Sequence, residues 1–598
     1  MSMKHTYTIC PHCGCGCGLH LVRQDGLTGG VTASQGHPFS GGQLCARGWT
    51  CHQLPSAPAR FVEPLLRRGA SLEPASWKEA ADYSARRLKS VRDQHGPEAI
   101  GILASPRLTA GELSALFRFA RDVIGTPHCD SGARLTGFPV EFPRPAELAD
   151  LDRADLIVVL GANLLEDNPV LGARIMSRCK PAADRPYVSP DLTHVVPGPP
   201  VRLAAAAARA GALGEIAQPH LRPRPGCEPQ LVVALLKALV ESHGQTSADP
   251  AFPKLRESLA KLSYSGLLDG AGVPSAQVGA LAALLASAAA PLLVAGRDLL
   301  HAPGAGTALA ALADIALVMR DRLSVLPAAA AANEHAALRI LPPGGGLSYP
   351  AMIGALRRRK LKALVLAGED PLRVLPGTGE VGRALAGAEF ILSIDSFSGP
   401  VHEHCHAVLP LSLPMEKAGS FAAMDGAEQR FAAALAPAGR ARPLEAALRD
   451  LAAPFRTKAG HGRPAGIPAA SLDPIKGCQP PKAVAGQITL ELGSVYPFLY
   501  GGDALAANTR HLAREFAGDW IELNPEDIAS LGVRAGWKVM VSSEAGSLEA
   551  QLRANPAQAK GTAFMPVHFG GLALAPFSFD PALETPVLRG IPVTVGKG

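Results

Sequence analysis

Residues 10–21 read CPHCGCGCGLHL and residues 44–49 read LCARGW. Within them Cys10, Cys13, Cys17 and Cys45 stand in the spacing C-x2-C-x3-C-x27-C. Thiolates two and three residues apart on a tight loop can occupy adjacent corners of an iron–sulfur cubane, and a distant fourth closes the site. Gly14, Gly16 and Gly18 let that loop wrap closely, since glycine accepts backbone angles that other residues resist. A structural zinc site is the rival reading, because it also uses four thiolates. Zinc ribbons show two separated C-x2-C knuckles, and the second is absent here. The expectation is a four-iron, four-sulfur (4Fe–4S) cluster on these four thiols.

The remaining composition agrees with an intracellular redox protein. The chain has 598 residues and eleven cysteines, of which five lie between positions 10 and 45. An odd number crowded at one end is a poor disulfide framework and a good cluster framework. Cys15 and Cys51 are spare and read as ordinary buried thiols. Hydrophobic residues make up 47%, charged residues 18%, and the net charge is +6 without basic runs, so no nucleic-acid footprint is expected. The first residues, MSMKHTYTICPHCGC, show no apolar core, twin-arginine pair or cleavage site of an export signal. The most apolar stretch, 278–296, is split by Pro291 into a helix (GALAALLASAA) and a short strand (PLLVAG), each too short to span a bilayer. A cytoplasmic location without membrane insertion is expected.

Behind the cysteines, helical periodicity at 77–93, 110–124 and 229–242 alternates with apolar runs at 99–103, 156–160, 292–295, 363–366 and 390–394. This rhythm predicts parallel sheets covered by helices, more than once. Residues 456–484 are rich in Pro, Gly and Lys and read as a linker. Beyond it, WKVMVSSEAGSLEAQLRA and TAFMPVHF alternate like strands of a compact antiparallel or barrel domain.

The opening cysteine motif, closed by LCARGW, resembles the molybdopterin oxidoreductase family, which includes formate dehydrogenase alpha subunits and the large peripheral subunit of respiratory complex I. Several later stretches are similar to that family in order and spacing. They are ARL (133–135), ADLIVVLGANLLEDNP (154–169), VLAGEDPL (365–372), ILSIDSF (391–397), EKAGSFAAMDGAEQRF (416–431), ANTRHL, WIELNPEDIASLGV and FMPVHFG. The resemblance implies a multidomain α/β fold: a 4Fe–4S module at 1–55, two Rossmann-like α/β domains at 56–125 plus 320–455 and at 126–319, a linker at 456–482, and a β-barrel cap at 483–598. It implies molybdopterin guanine dinucleotide, with molybdenum or tungsten, near Arg134, Gly161, Asn163, Gly368, Glu369, Asp370, Asp395, Arg510, Asn524 and Asp527. On their own terms Gly161, Asn163 and Gly368 follow buried strands, where an open α/β sheet binds ligands, and Asp395 could accept from a guanine or ribose. The family's acidic residue after its second strand is matched by Ser189, with Asp191 close by.

Catalytic positions depart from the resemblance. Formate dehydrogenases follow Ala-Arg-Leu with Cys or selenocysteine, a metal ligand, and then His; here Thr136 and Gly137 follow. A neutral hydroxyl is a feeble metal donor beside a thiolate. No equivalent of the substrate-binding Arg is visible in LPAAAAANEHAALRILP, and His128 and Cys129 read as packing residues. The Lys that relatives carry two residues after the fourth cluster Cys is matched by Arg47, which keeps a positive charge between cluster and pterin. The expectation is an oxidoreductase subunit that exchanges electrons with an iron–sulfur or flavin partner; a catalytically silent scaffold and relay, as in complex I, is the alternative.

Overall fold

The structure, a computed structural model, describes all residues except 1–2, 26, 181–199, 210, 342–343, 456–466, 473, 476–479, 482–485, 497–502, 516–517 and 598. Ser189, Asp191 and much of the expected linker lie outside the described residues. The chain divides into two compact units, one of residues 1–139, 329–467 and 497–517, the other of 140–328, 468–496 and 518–598.

The first unit is organised on a seven-stranded sheet. Its order is Ser71–Pro74, Leu65–Arg68, Ala407–Pro410, Phe390–Asp395, Ala363–Ala367, Ile100–Ala104 and Cys129–Ser131. The last five run parallel, and the first two add an antiparallel edge. ALVLA and IGILA are buried at every position, as central parallel strands must be when helices cover both faces. Helix Trp77–His95 lays its Ala80, Ala81, Leu88 and Val91 stripe on this core, and Ser76 caps it by accepting from the Glu79 amide. The periodic stretch 110–124 is an α-helix only to Arg118. It then widens into a π-turn, Phe119–Ile124, closed by Gly125 donating to the Ala120 carbonyl. Residues 126–139, expected in the second α/β domain, belong to this unit, because Cys129–Ser131 pairs with Ile100–Ala104. Strand order reverses between Ile100–Ala104 and Ala363–Ala367, and the carboxyl ends there open a crevice. A separate antiparallel meander, Met3–Ile9, Gly18–Gln24 and Leu27–Ala33, carries the cysteine loop.

The second unit holds a five-stranded parallel sheet, ordered His220–Leu221, Arg202–Ala206, Leu156–Leu160, Pro291–Ala295 and Ser324–Pro327. The apolar stretch at 278–296 resolves into helix Ser275–Ser287 and strand Pro291–Ala295, as its proline predicts. Among the described residues no helix is long and apolar enough to cross a membrane. The carboxyl-terminal region closes into a six-stranded barrel. It is mixed rather than antiparallel: Ile488–Gly493 runs parallel to Thr562–Pro566, and Trp520–Leu523 to Ser547–Ala554.

Candidate cluster site and cofactor cleft

The cysteine loop is the tip of a hairpin. Ile9 pairs with Gly18, and the Cys10 amide donates to the Cys17 carbonyl at 2.9 Å, which sets these two thiols across the loop neck. Cys45 arrives from the far side as the residue before helix Ala46–Thr50. Cys10, Cys13 and Cys17 are buried, while Cys45 is partly exposed. The thiols act on one another electrostatically: burial, then Cys51, Cys45 and Cys13, hold Cys10 well above the ordinary thiol range. A hydrogen bond with Cys15 pulls Cys17 down, but burial and the thiols of Cys10, Cys13 and Cys45 push it to about 11. Cys10, Cys13 and Cys17, which stay protonated when they are alone, are donors that a bound metal cluster would deprotonate.

The loop is braced from behind. Gly14 donates to the Ala329 carbonyl at 3.1 Å and accepts from the Met424 amide at 2.9 Å. Gly16 has φ +52, which favours glycine, and a Cβ there would lie 2.2 Å from Gln429 Oε1 and displace that amide. Gln429 also contacts His37 Nε2 at 3.2 Å. Sequence reasoning gave Gln429 and His37 no role; nothing in their local pattern marks residues so distant in the chain as the backing of this loop. Arg47 is fully buried. Burial opposes its charge, yet the thiols of Cys45, Cys13 and Cys10 and a hydrogen bond with Cys45 hold it above its ordinary range. Arg47 is therefore a buried cation beside these thiols rather than a surface one.

The crevice of the first sheet spans about 850 Å³, counting the space at its mouth that is open to solvent. Gly368, Glu369, Asp370 and Asp395 line it from the strand ends, joined by Arg107, Arg373, Ser412 and Lys417. Gly368, at φ +63, turns the backbone at the end of Ala363–Ala367. Asp370 caps the next short helix, accepting from Leu372 and Val401 amides. Asp395 Oδ1 accepts from Ser396 and Phe397 amides. Burial pushes Glu369 up to about 8 against the opposing pull of Arg107, and pushes Asp370 up to about 7. The buried Ser412 hydroxyl on this wall has no hydrogen-bond partner among the described residues. An orphaned hydroxyl, three cations and carboxyls that keep protons suit an anionic, hydrogen-bond-rich ligand such as a pterin dinucleotide. The cluster loop forms one edge of the crevice: Pro11 lines it, and Arg107 Nη2 donates to the His12 carbonyl at 3.1 Å.

Thr136 lines a narrow slot that shares Arg107, Glu369 and Val374 with the crevice. Its hydroxyl donates to Glu334 Oε2 at 2.5 Å, and both residues are buried. Glu334, unassigned in the sequence, thus faces the position where relatives place a metal-ligating sulfur. Gly137 ends the turn Ala133–Thr136 by donating to the Ala133 carbonyl, and Leu338 fills the space beside it. Arg134 is paired with Asp130 and lines neither cavity. His128 Nδ1 accepts from the Leu347 amide, a packing contact.

The other candidate residues lie elsewhere. In the second unit Gly161, at φ +66, ends Leu156–Leu160 where strand order again reverses, and Asn163 packs beside Gly211. In the same unit Arg297 pairs with Asp167 and donates to Ser494, and Arg589 is held by Glu228, Asp298 and Glu491. Asn524 caps helix Pro525–Ser530 and donates to the Gln558 carbonyl, while Asp527 accepts from the Gly561 amide; both serve the barrel. Arg510 is exposed and lines an outer groove of the first unit rather than its crevice, because helix Arg510–Glu515 turns that side chain to the surface.

Three family matches cover the chain in order: the molybdopterin oxidoreductase Fe4S4 domain at 3–55, molybdopterin oxidoreductase at 60–453, and the molydopterin dinucleotide binding domain at 503–589. The chain is similar to the NADPH-Fe(3+) oxidoreductase subunit alpha of Geobacter sulfurreducens, at 27% identity over 99% of this chain and 74% of that one. It is similar to the F420-dependent formate dehydrogenase subunit alpha of Methanocaldococcus jannaschii, at 24% identity over 95% of each. Acetylene hydratase from Pelobacter acetylenicus shares the fold, with a TM-score of 0.76 at 15% identity over 99% of this chain and all of that one. With a cluster domain at one end, a dinucleotide-binding domain at the other and the molybdopterin oxidoreductase match between them, the chain belongs to the molybdopterin oxidoreductase family.

Proposed function

We propose that this chain is the pterin- and cluster-bearing subunit of a cytoplasmic electron-transfer complex, exchanging electrons with a separate iron–sulfur or flavin subunit. The observation that carries the reading is the shared wall: Pro11 and the Arg107–His12 hydrogen bond make the cluster loop an edge of the cofactor crevice. When bound, the pterin-held molybdenum or tungsten supplies a two-electron centre and the cluster a one-electron couple. Cys10, Cys13, Cys17 and Cys45 hold the cluster. Arg107, Arg373 and Ser412 bind the anionic and polar groups of the dinucleotide, Asp395 accepts from its base or ribose, and Arg47 sets the charge between the two sites. The alpha-subunit names of the relatives support a partner.

Formate is not the substrate on this reading. A thiolate ligand and a mobile imidazole are replaced by the Thr136–Glu334 pair and by Gly137. General acid–base help contributes about 10²–10⁴-fold, so its loss is measurable. In metal-replete protein purified anaerobically, dithionite should bleach the cluster absorbance while formate leaves it unchanged. Rapid bleaching by formate would sink the proposal. The same Thr136–Glu334 pair favours a second reading, a relay that holds no metal at the pterin. Protein carrying pterin and a reducible cluster but no molybdenum or tungsten, after expression with both metals supplied, would select it.

A further inference from the structure

The cluster module is most open at Cys45 among its four ligand thiols, and the surface there is chemically lopsided. Among the four ligand thiols only Cys45 is partly exposed. Ala46, the next residue, packs on Ala506 and Leu512, so the helices Asp503–Ala507 and Arg510–Glu515 lie directly against that side. Gln53 and His511 clasp across the junction at 2.6 Å. Together these segments shape a groove of about 1160 Å³, lined by Gln53, Ser56, Pro58, Arg510, His511 and Arg514 among others, with no carboxylate among its described lining residues. Trp49, one turn after Cys45, is 45% exposed. The run from residue 26 to residue 62 contains no Asp or Glu at all. A chain that carries 52 acidic residues elsewhere therefore leaves the surface beside its most accessible cluster ligand without any from this run.

We propose that this groove, between the Trp49 turn and helix Arg510–Glu515, is the docking surface for an acidic electron-carrier protein. The inference rests on the relay reading above and names the face and the charge of the partner. Arg510 and Arg514 supply the steering charge, because a patch of one sign raises the encounter rate with a complementary protein and imposes salt dependence. Trp49 supplies the flat apolar contact that anchors such interfaces. Docking there brings the partner's redox centre to the side of the module where Cys45, the least buried of the four thiols, lies.

The test uses the holoprotein, purified anaerobically, and an acidic plant-type ferredoxin as the probe. Reduced ferredoxin is mixed with the oxidised holoprotein in a stopped-flow instrument, and cluster absorbance is followed over a range of ionic strength. A net-neutral viologen serves as the small reductant that needs no docking. The native protein should be reduced by ferredoxin at a rate that falls with salt. Arg514→Glu should slow this about tenfold at low salt, converge with the native protein at high salt, and leave the viologen rate unchanged. Arg514→Lys should restore the native rate, which a purely structural role for the guanidinium would not allow. An unchanged ferredoxin rate in Arg514→Glu would overturn the surface and leave the relay reading standing. So would ferredoxin failing to reduce a native cluster that the viologen reduces. A cluster that even the viologen cannot reduce would overturn both.

Discussion

Replacing Arg47 by Gln removes a buried charge from beside the cluster and keeps much of the side-chain volume. The guanidinium is fully buried and hydrogen-bonded to Cys45, so solvent screens it little. With an effective dielectric of about 20, one charge acting across about 6 Å is worth about 3 kcal/mol. For a one-electron couple, about 1.4 kcal/mol corresponds to about 59 mV. The added electron is thus stabilised by about 120 mV in the native protein, and Arg47→Gln should lower the midpoint by about that amount. Arg47→Lys keeps the charge but not the planar fork, and should shift the midpoint by less than half as much. The assay is an EPR-monitored redox titration, with iron and sulfide counted in each sample so that cluster loss is not mistaken for a potential change. A midpoint within about 20 mV of native at full cluster occupancy would refute the idea that Arg47 tunes the couple, since about 20 mV is under 0.5 kcal/mol.

Other outcomes follow from the same geometry. Ser at Cys10, Cys13, Cys17 or Cys45 should abolish or badly damage the cluster, whereas Cys15→Ser should retain iron and sulfide; equal loss from Cys15→Ser would remove the ligand assignment. Glu369 has its folded value raised from 4.5 to about 8 by burial. The folded cofactor-free chain therefore keeps a proton that the unfolded chain releases, and stability falls as pH rises through that window, at up to about 1.4 kcal/mol per pH unit from this one group. Glu369→Gln should flatten the melting temperature against pH between about 5 and 8; an unaltered slope would show that Glu369 is ionised throughout.

The sequence disclosed what local pattern encodes. Strand–helix alternation marked both parallel sheets, because buried strands such as ALVLA are continuous apolar runs and the helix Trp77–His95 carries a clean stripe. The cysteine spacing marked the cluster loop for the same reason: its chemistry is contiguous. What stayed hidden is held by residues far apart. Gln429 against Gly16, Arg107 against His12 and Glu334 against Thr136 each join positions about 95 to 413 apart in the chain, and single-sequence patterns carry no record of such pairings. Asn524 and Asp527 were read toward the cofactor from family resemblance, yet their side chains are engaged by a helix cap and a turn amide. The π-turns after Arg118 and Lys237 were equally invisible, since α and π share the same apolar spacing over so short a stretch.

The most direct test of the account is metal and cofactor analysis of the chain purified anaerobically from a host that supplies molybdenum, tungsten and pterin. The account predicts about four iron and four labile sulfide per chain, as a cubane on four thiolates requires, together with a guanine-containing pterin nucleotide. Stoichiometric zinc without sulfide, and no releasable pterin, would contradict it.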